Sequence, residues 1–181
     1  AGEFGSAVVG NHLTLAVLHG LKLDKADRNV IANPLEERYW SRLPVGFGAH
    51  KAMKYGMWRH SCDASDPVWT TIPDALEGPV AAIDPTGLPP RYLRSAMKST
   101  LDQGDVCFDF AIQRQTNPIE MPVEDEDVRW THKKAPYEVV ARVRIPKQDF
   151  DRPNRDAFCK NLAFSPFRGL AEHHPLGNLN R

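Results

Sequence analysis

Two stretches of strict alternation constrain this chain more than any other feature. Over Asp105 to Gln115 the apolar residues Val106, Phe108, Phe110 and Ile112 alternate with Asp105, Asp109 and Gln113, the period-two pattern of a strand buried on one face. Tyr137, Val139, Ala141, Val143 and Ile145 repeat it against Glu138, Arg142 and Arg144, which predicts a second strand of similar length. The pair suits an antiparallel sheet with Phe108, Phe110, Ile112, Val139, Val143 and Ile145 buried. Pro118 to Pro136, between them, is acidic and then basic. It is too polar for core and too long for a hairpin turn, so it should wrap over the surface.

Helical spacing appears in three places. Leu13, Val17 and Leu21, widened by Leu15 and Leu18, predict a short helix over His12 to Leu23. Pro89-Pro90 open a second helix with Leu93, Met97 and Leu101 on one face and Gly104 at its C-terminal cap. Phe158, Cys159 and Leu162 mark a third, Asp156 to Ala163, stopped by Pro166. Asn33-Pro34 reads as a turn, and Val45 to Trp58, interrupted by Gly46, Gly48 and Gly56, as one bent, bulged strand. The proline- and glycine-rich stretch from Arg59 to Pro90 reads as loop with at most a short strand at Val68 to Ile72, and the last fifteen residues as coil. The elements sum to an α+β domain.

Residues 1–6, Ala1 to Ser6, have the small, glycine-punctuated look of an expression-tag scar, leaving 7–181 as one domain. With 23 basic and 23 acidic residues the chain has no net charge to gather nucleic acid or an anionic membrane. No segment approaches the ~20 apolar residues of a membrane span. Cys62, Cys107 and Cys159 are odd in number and widely spaced, which argues against a disulfide framework and a zinc site and for a reducing, cytoplasmic setting. Of the seven histidines, only the adjacent His173 and His174 and the loop pair His60 and Cys62 lie close in sequence, too few to converge on a metal. His50, His60, His132, His173 and His174 are therefore expected not to share an ion. The acidic run Glu124 to Asp127 lacks the ligand alternation and turn glycine of a calcium loop. No nucleophile elbow, zinc-protease or phosphate-loop motif occurs, and Gly46-Phe47-Gly48 lacks the last glycine of a dinucleotide fingerprint. The residues by themselves offer no catalytic, cofactor-binding or metal site.

Three blocks in order resemble the catalase superfamily, particularly its short bacterial catalase-like members. The first is Asn33-Pro34 through Tyr39-Trp40-Ser41 to Gly46-Phe47-Gly48-Ala49-His50-Lys51. The second is Met121-Pro122-Val123-Glu124-Asp125 to Trp130, then Pro136 and the strand ending Arg144-Ile145-Pro146-Lys147-Gln148-Asp149. The third is Asn161-Leu162-Ala163-Phe164-Ser165-Pro166, then Gly169-Leu170-Ala171-Glu172-His173-His174-Pro175-Leu176-Gly177-Asn178-Leu179-Asn180-Arg181. The resemblance implies the C-terminal part of a catalase-like haem domain: an antiparallel β-barrel, to which this chain gives later strands, with flanking helices, a long wrapping segment and haem b between barrel and wrapping. It implies a parent that acts on hydroperoxides as a haem-dependent catalase, peroxidase or hydroperoxide-transforming enzyme. The family's distal histidine belongs before this sequence and its axial tyrosine a few residues beyond Arg181, so Tyr39, Tyr55, Tyr92 and Tyr137 do not inherit that role. The chain alone is then expected to be inactive and to pair with itself or with the missing N-terminal part, since an unclosed barrel leaves sheet edges. The alternative is a haem-free interaction or structural module on the same sheet.

Overall fold

A computed structural model describes residues 31–63, 65–66, 87–125 and 127–178. Within them run strands β1 (Tyr39–Trp40), β2 (Val45–Gly46), β3 (Ala52–His60), β4 (Val106–Arg114) and β5 (Tyr137–Ile145), with helices α1 (Tyr92–Gln103) and α2 (Arg155–Asn161). All strand pairs are antiparallel, in the order β1-β3-β4-β5, with β2 also on β3. Helices beside an antiparallel sheet make this an α+β fold. Among the described residues the sheet is open and does not close into a barrel. The expected helix at His12 to Leu23 and the short strand at Val68 to Ile72 lie outside the described residues.

The two alternating segments form β4 and β5 and are neighbours, as their pattern requires. α1 starts two residues after Pro90, and Gly104 caps its C-terminus by donating its N–H to Thr100 O at 3.3 Å. Val45 to Trp58 is not one bent strand. It is a hairpin of β2 and β3, with Val45 opposite Met53 and Gly46 opposite Ala52. The reversal uses left-handed backbone at Gly48 (φ 73°) and His50 (φ 57°), and histidine is among the residues that tolerate this region.

The period of β5 breaks where the sequence pattern runs on. Phe110 pairs with Ala141 but Ala111 with Val139, a bulge that leaves Val140 as the extra residue. Ala141, Val143 and Ile145 therefore share a face with Phe110, Phe108 and Val106, whereas Tyr137 and Val139 share the opposite face with Gln113 and Ala111. Of the six residues expected in the core, Phe108 and Ile112 are buried, Phe110, Val139 and Ile145 are half-buried, and Val143 is 39% exposed at the outermost strand.

The sheet has apolar packing on both faces. On the first, Leu101 and Met97 of α1 pack with Leu35, Val106 and Phe108, and with Tyr39, Met57, Ile145 and Phe150. Asn33 fixes this layer, accepting from Leu35 N at 3.0 Å and donating to Thr100 Oγ1 of α1 at 2.8 Å. Arg94 and Lys98 tie α1 to Asp151 and Asp149. On the second face the segment after β4 supplies a core of its own: Met121, Trp130 and Ala135 are buried against Ala52, flanked by Val123 and Leu176. This corrects the reading of that segment as surface wrapping only. Its apolar residues are sparse but converge, because Gln113 Nε2 donates to Trp130 O (3.1 Å) and Ala135 O (2.8 Å) and draws the loop onto the sheet.

Candidate functional site

The second sheet face carries most of the polar chemistry that the fold brings together. Four cross-strand rows cross it: Lys54, Gln113 and Tyr137; Gly56, Ala111 and Val139; Trp58, Asp109 and Arg142; His60, Cys107 and Arg144. Directly opposed side chains in such rows point the same way. Alternation alone makes Asp109 and Gln113 the solvent side of β4, yet both are completely buried. Aromatic cover is the cause at the centre. Trp40 of β1, Trp58 of β3 and Tyr137 of β5 meet edge to face, with centroids 4.6 Å apart for Trp40 and Trp58, 5.3 Å for Trp40 and Tyr137, and 5.1 Å for Trp58 and Tyr137.

Beside the triad lies a cluster of charge. Arg142 Nε donates to Asp109 Oδ1 at 2.9 Å, and Arg142 Nη2 lies 2.7 Å from His60 Nδ1. His60 Nδ1 is also 3.6 Å from Asp109 Oδ2. A guanidinium only donates, so Nδ1 is the acceptor toward Arg142 and the imidazole proton sits on Nε2. Buried carboxylates need such partners because an unpaired one is costly. Asp109 Oδ2, Trp58 Nε1 and Gln113 Oε1 nevertheless have no hydrogen-bond partner among the described residues, and all three belong to this face. Lys54 lies over the Trp130 ring at 5.1 Å, and burial lowers its pKa.

A disulfide adjoins the cluster: Cys62 is bonded to Cys107, with Cα atoms 5.1 Å apart. This corrects the reading of the cysteines as unpaired. They are 45 residues apart in sequence, but the β3–β4 register puts His60 opposite Cys107 and so brings Cys62 within reach. Cys159 is free and exposed.

The histidines are distributed through the fold. His50 is at the β2–β3 turn; His173 Nδ1 lies 3.2 Å from Gly46 O with its ring stacked on Phe47; His174 Nδ1 lies 2.8 Å from Ala171 O. Among the described residues no three histidines, cysteines or acids gather as a metal site, and no helix is long and apolar enough to cross a membrane.

Haem requires an axial ligand and an apolar slot, and the described tyrosines are placed as follows. The Tyr39 hydroxyl donates to Pro34 O at 2.6 Å, and burial, then the Glu37 charge, raises its pKa, away from phenolate. Burial likewise raises that of Tyr92. Tyr55 lies against Phe110 and Tyr137 within the aromatic triad. The sequence reading missed the His60, Asp109 and Arg142 cluster; its only sequence signal is the presence of charged residues at matching strand positions, visible once the register is known.

This chain matches no protein-family model and no curated protein.

Proposed function

We propose that this chain is part of a catalase-like haem protein whose intact parent processes hydroperoxides, and that the chain alone is a non-catalytic scaffold. In this reading its open sheet is a section of the family's barrel, and the parent works with haem b as cofactor in the cytoplasm, where the Cys62–Cys107 bridge would be exposed to reduction. The sheet, open among the described residues, favours pairing with a second copy or with an N-terminal part of the parent. One observation supports the reading above others: the three resembling blocks, far apart in sequence, meet at a single junction. Gly46 N donates to His174 O at 2.8 Å, Gly48 N to Glu172 O at 3.1 Å and Leu176 N to Pro44 O at 3.2 Å. Asn178 N donates to Glu124 Oε2 at 2.9 Å, joining the second block to the third. Three backbone hydrogen bonds and one to the Glu124 carboxylate join the blocks into one structural unit, as parts of a single domain would be.

The missing axial ligand motivates equally well a second reading, a haem-free module on the same sheet. Hemin reconstitution separates the two. The parent, carrying both flanks, is expected to take up near-stoichiometric haem with a Soret band and to release oxygen from peroxide, while the present chain does neither. A parent without a Soret band establishes the haem-free module. Haem and brisk turnover in the present chain would overturn the scaffold assignment.

A further inference from the structure

We propose that the Cys62–Cys107 disulfide is a thiol–disulfide exchange site, opened by a dithiol that attacks Cys62 and expels Cys107. This stands apart from the haem reading and rests on how the two sulfurs are placed. Cys62 lies in an exposed run with Ser61 and Asp63, whereas Cys107 is 2% exposed within β4. Exchange depends on which sulfur an incoming thiolate can reach. Only Cys62 is open, which makes Cys107 the leaving group.

The charges facing Cys107 do not set this direction. Its cross-strand neighbours are His60 and Arg144, and the next row holds Asp109 and Arg142. Arg144 is ion-paired with Asp105, and Arg142 with Asp109. Two guanidinium groups are thus matched by two carboxylates, and access decides the direction.

The step is balanced. A thiolate of the dithiol bonds to Cys62 Sγ as the Cys62–Cys107 bond breaks, and the electron pair leaves on Cys107 Sγ, which takes a proton from solvent. The second thiolate of the dithiol then attacks its own sulfur in the mixed disulfide and releases Cys62 as a thiolate that is protonated in turn. The dithiol loses two electrons and the protein gains two thiols. Cys62 is thereby released from Cys107, while the β3–β4 ladder, which already pairs His60 with Cys107, stays in place. His60 is two residues from the bridge and contacts Arg142, so the bridge pins the strand end that carries this cluster.

The test uses the full chain with Cys159→Ser, which removes the exposed free thiol. Millimolar dithiothreitol is added to the folded protein, samples are quenched and alkylated, and thiols are counted by mass. Full reduction with an unchanged far-UV circular dichroism spectrum is expected. Variants that also carry Cys107→Ser or Cys62→Ser are then titrated with Ellman's reagent. Cys62 is expected to react at least about tenfold faster than Cys107, because the rate follows access. If either variant misfolds, limited labelling of the reduced Cys159→Ser protein and peptide mapping give the same order. A purified protein with no bridge, a bridge reducible only after unfolding in urea, or first labelling at Cys107 each overturns the proposal.

Discussion

Replacing Gly56 by alanine tests the packing of the aromatic face directly. Gly56 sits mid-strand in β3, opposite Ala111 of β4 and Trp40 of β1. A Cβ at this position would lie 2.8 Å from Trp58 Cζ3 and 3.2 Å from Cζ2, and closer still to Cη2. The indole has little room to retreat, because Trp58 is 1% exposed and wedged between Trp40 and Tyr137. Forcing an atom into a packed core costs about 1–3 kcal/mol, while exchanging glycine for alanine within a strand returns about 0.5–1 kcal/mol of backbone entropy. The net expectation is a loss of about 1–2 kcal/mol. Urea denaturation followed by tryptophan fluorescence and circular dichroism measures it. The companion Trp58→Leu removes the obstructing ring, so adding Gly56→Ala to that variant should stabilise it by about 0.5–1 kcal/mol, and the cycle should show a coupling equal to the packing cost, about 1–3 kcal/mol. A Gly56→Ala midpoint at or above that of the parent chain, or additive effects in the double variant, would refute the account of the aromatic face.

Arg142→Met should destabilise the chain by about 3–5 kcal/mol, because it strands the fully buried Asp109 carboxylate; a loss under about 1 kcal/mol in the same urea assay contradicts the cluster. Phe108→Ala should cost about 3–5 kcal/mol and Phe110→Ala clearly less, since Phe108 is 1% exposed and Phe110 only half-buried; the reverse order contradicts the observed burial. Acid titration reads the surface carboxylates. Asp105 is held below its ordinary value by the Lys147 N–H and then Arg144, Asp149 by the Asp151 N–H and then Lys98, and Asp151 by Arg94. Depressed folded values mean that this stabilisation is present above the unfolded value near 3.9 and is lost as pH falls below it through the folded values. Asp105→Asn should therefore flatten the stability profile below about pH 4; an unchanged slope there removes the contribution of Asp105.

Local pattern fixed much of this protein before any coordinates. Strict alternation marked β4 and β5, the Pro89-Pro90 and Gly104 punctuation bounded α1, and Asn33-Pro34 marked a turn, because strand, helix and turn preferences act over a few residues and are written in adjacent positions. Tertiary structure decided the rest. The bulge at Val140 redirects half of β5, and a one-residue shift moves side chains to the other face without altering composition. Asp109 and Gln113 look solvent-facing in sequence and are buried because Trp58, Tyr137 and the Met121 to Ala135 loop come from elsewhere to cover them. Cys62 and Cys107 form a bridge only because the β3–β4 register closes 45 residues of separation. The His60, Asp109 and Arg142 cluster likewise exists only through register, since each member comes from a different strand. Sequence marked β4, β5 and α1; where the other strands end and reverse, which faces are buried, and which polar groups meet there, depends on pairings between distant residues that no local pattern encodes.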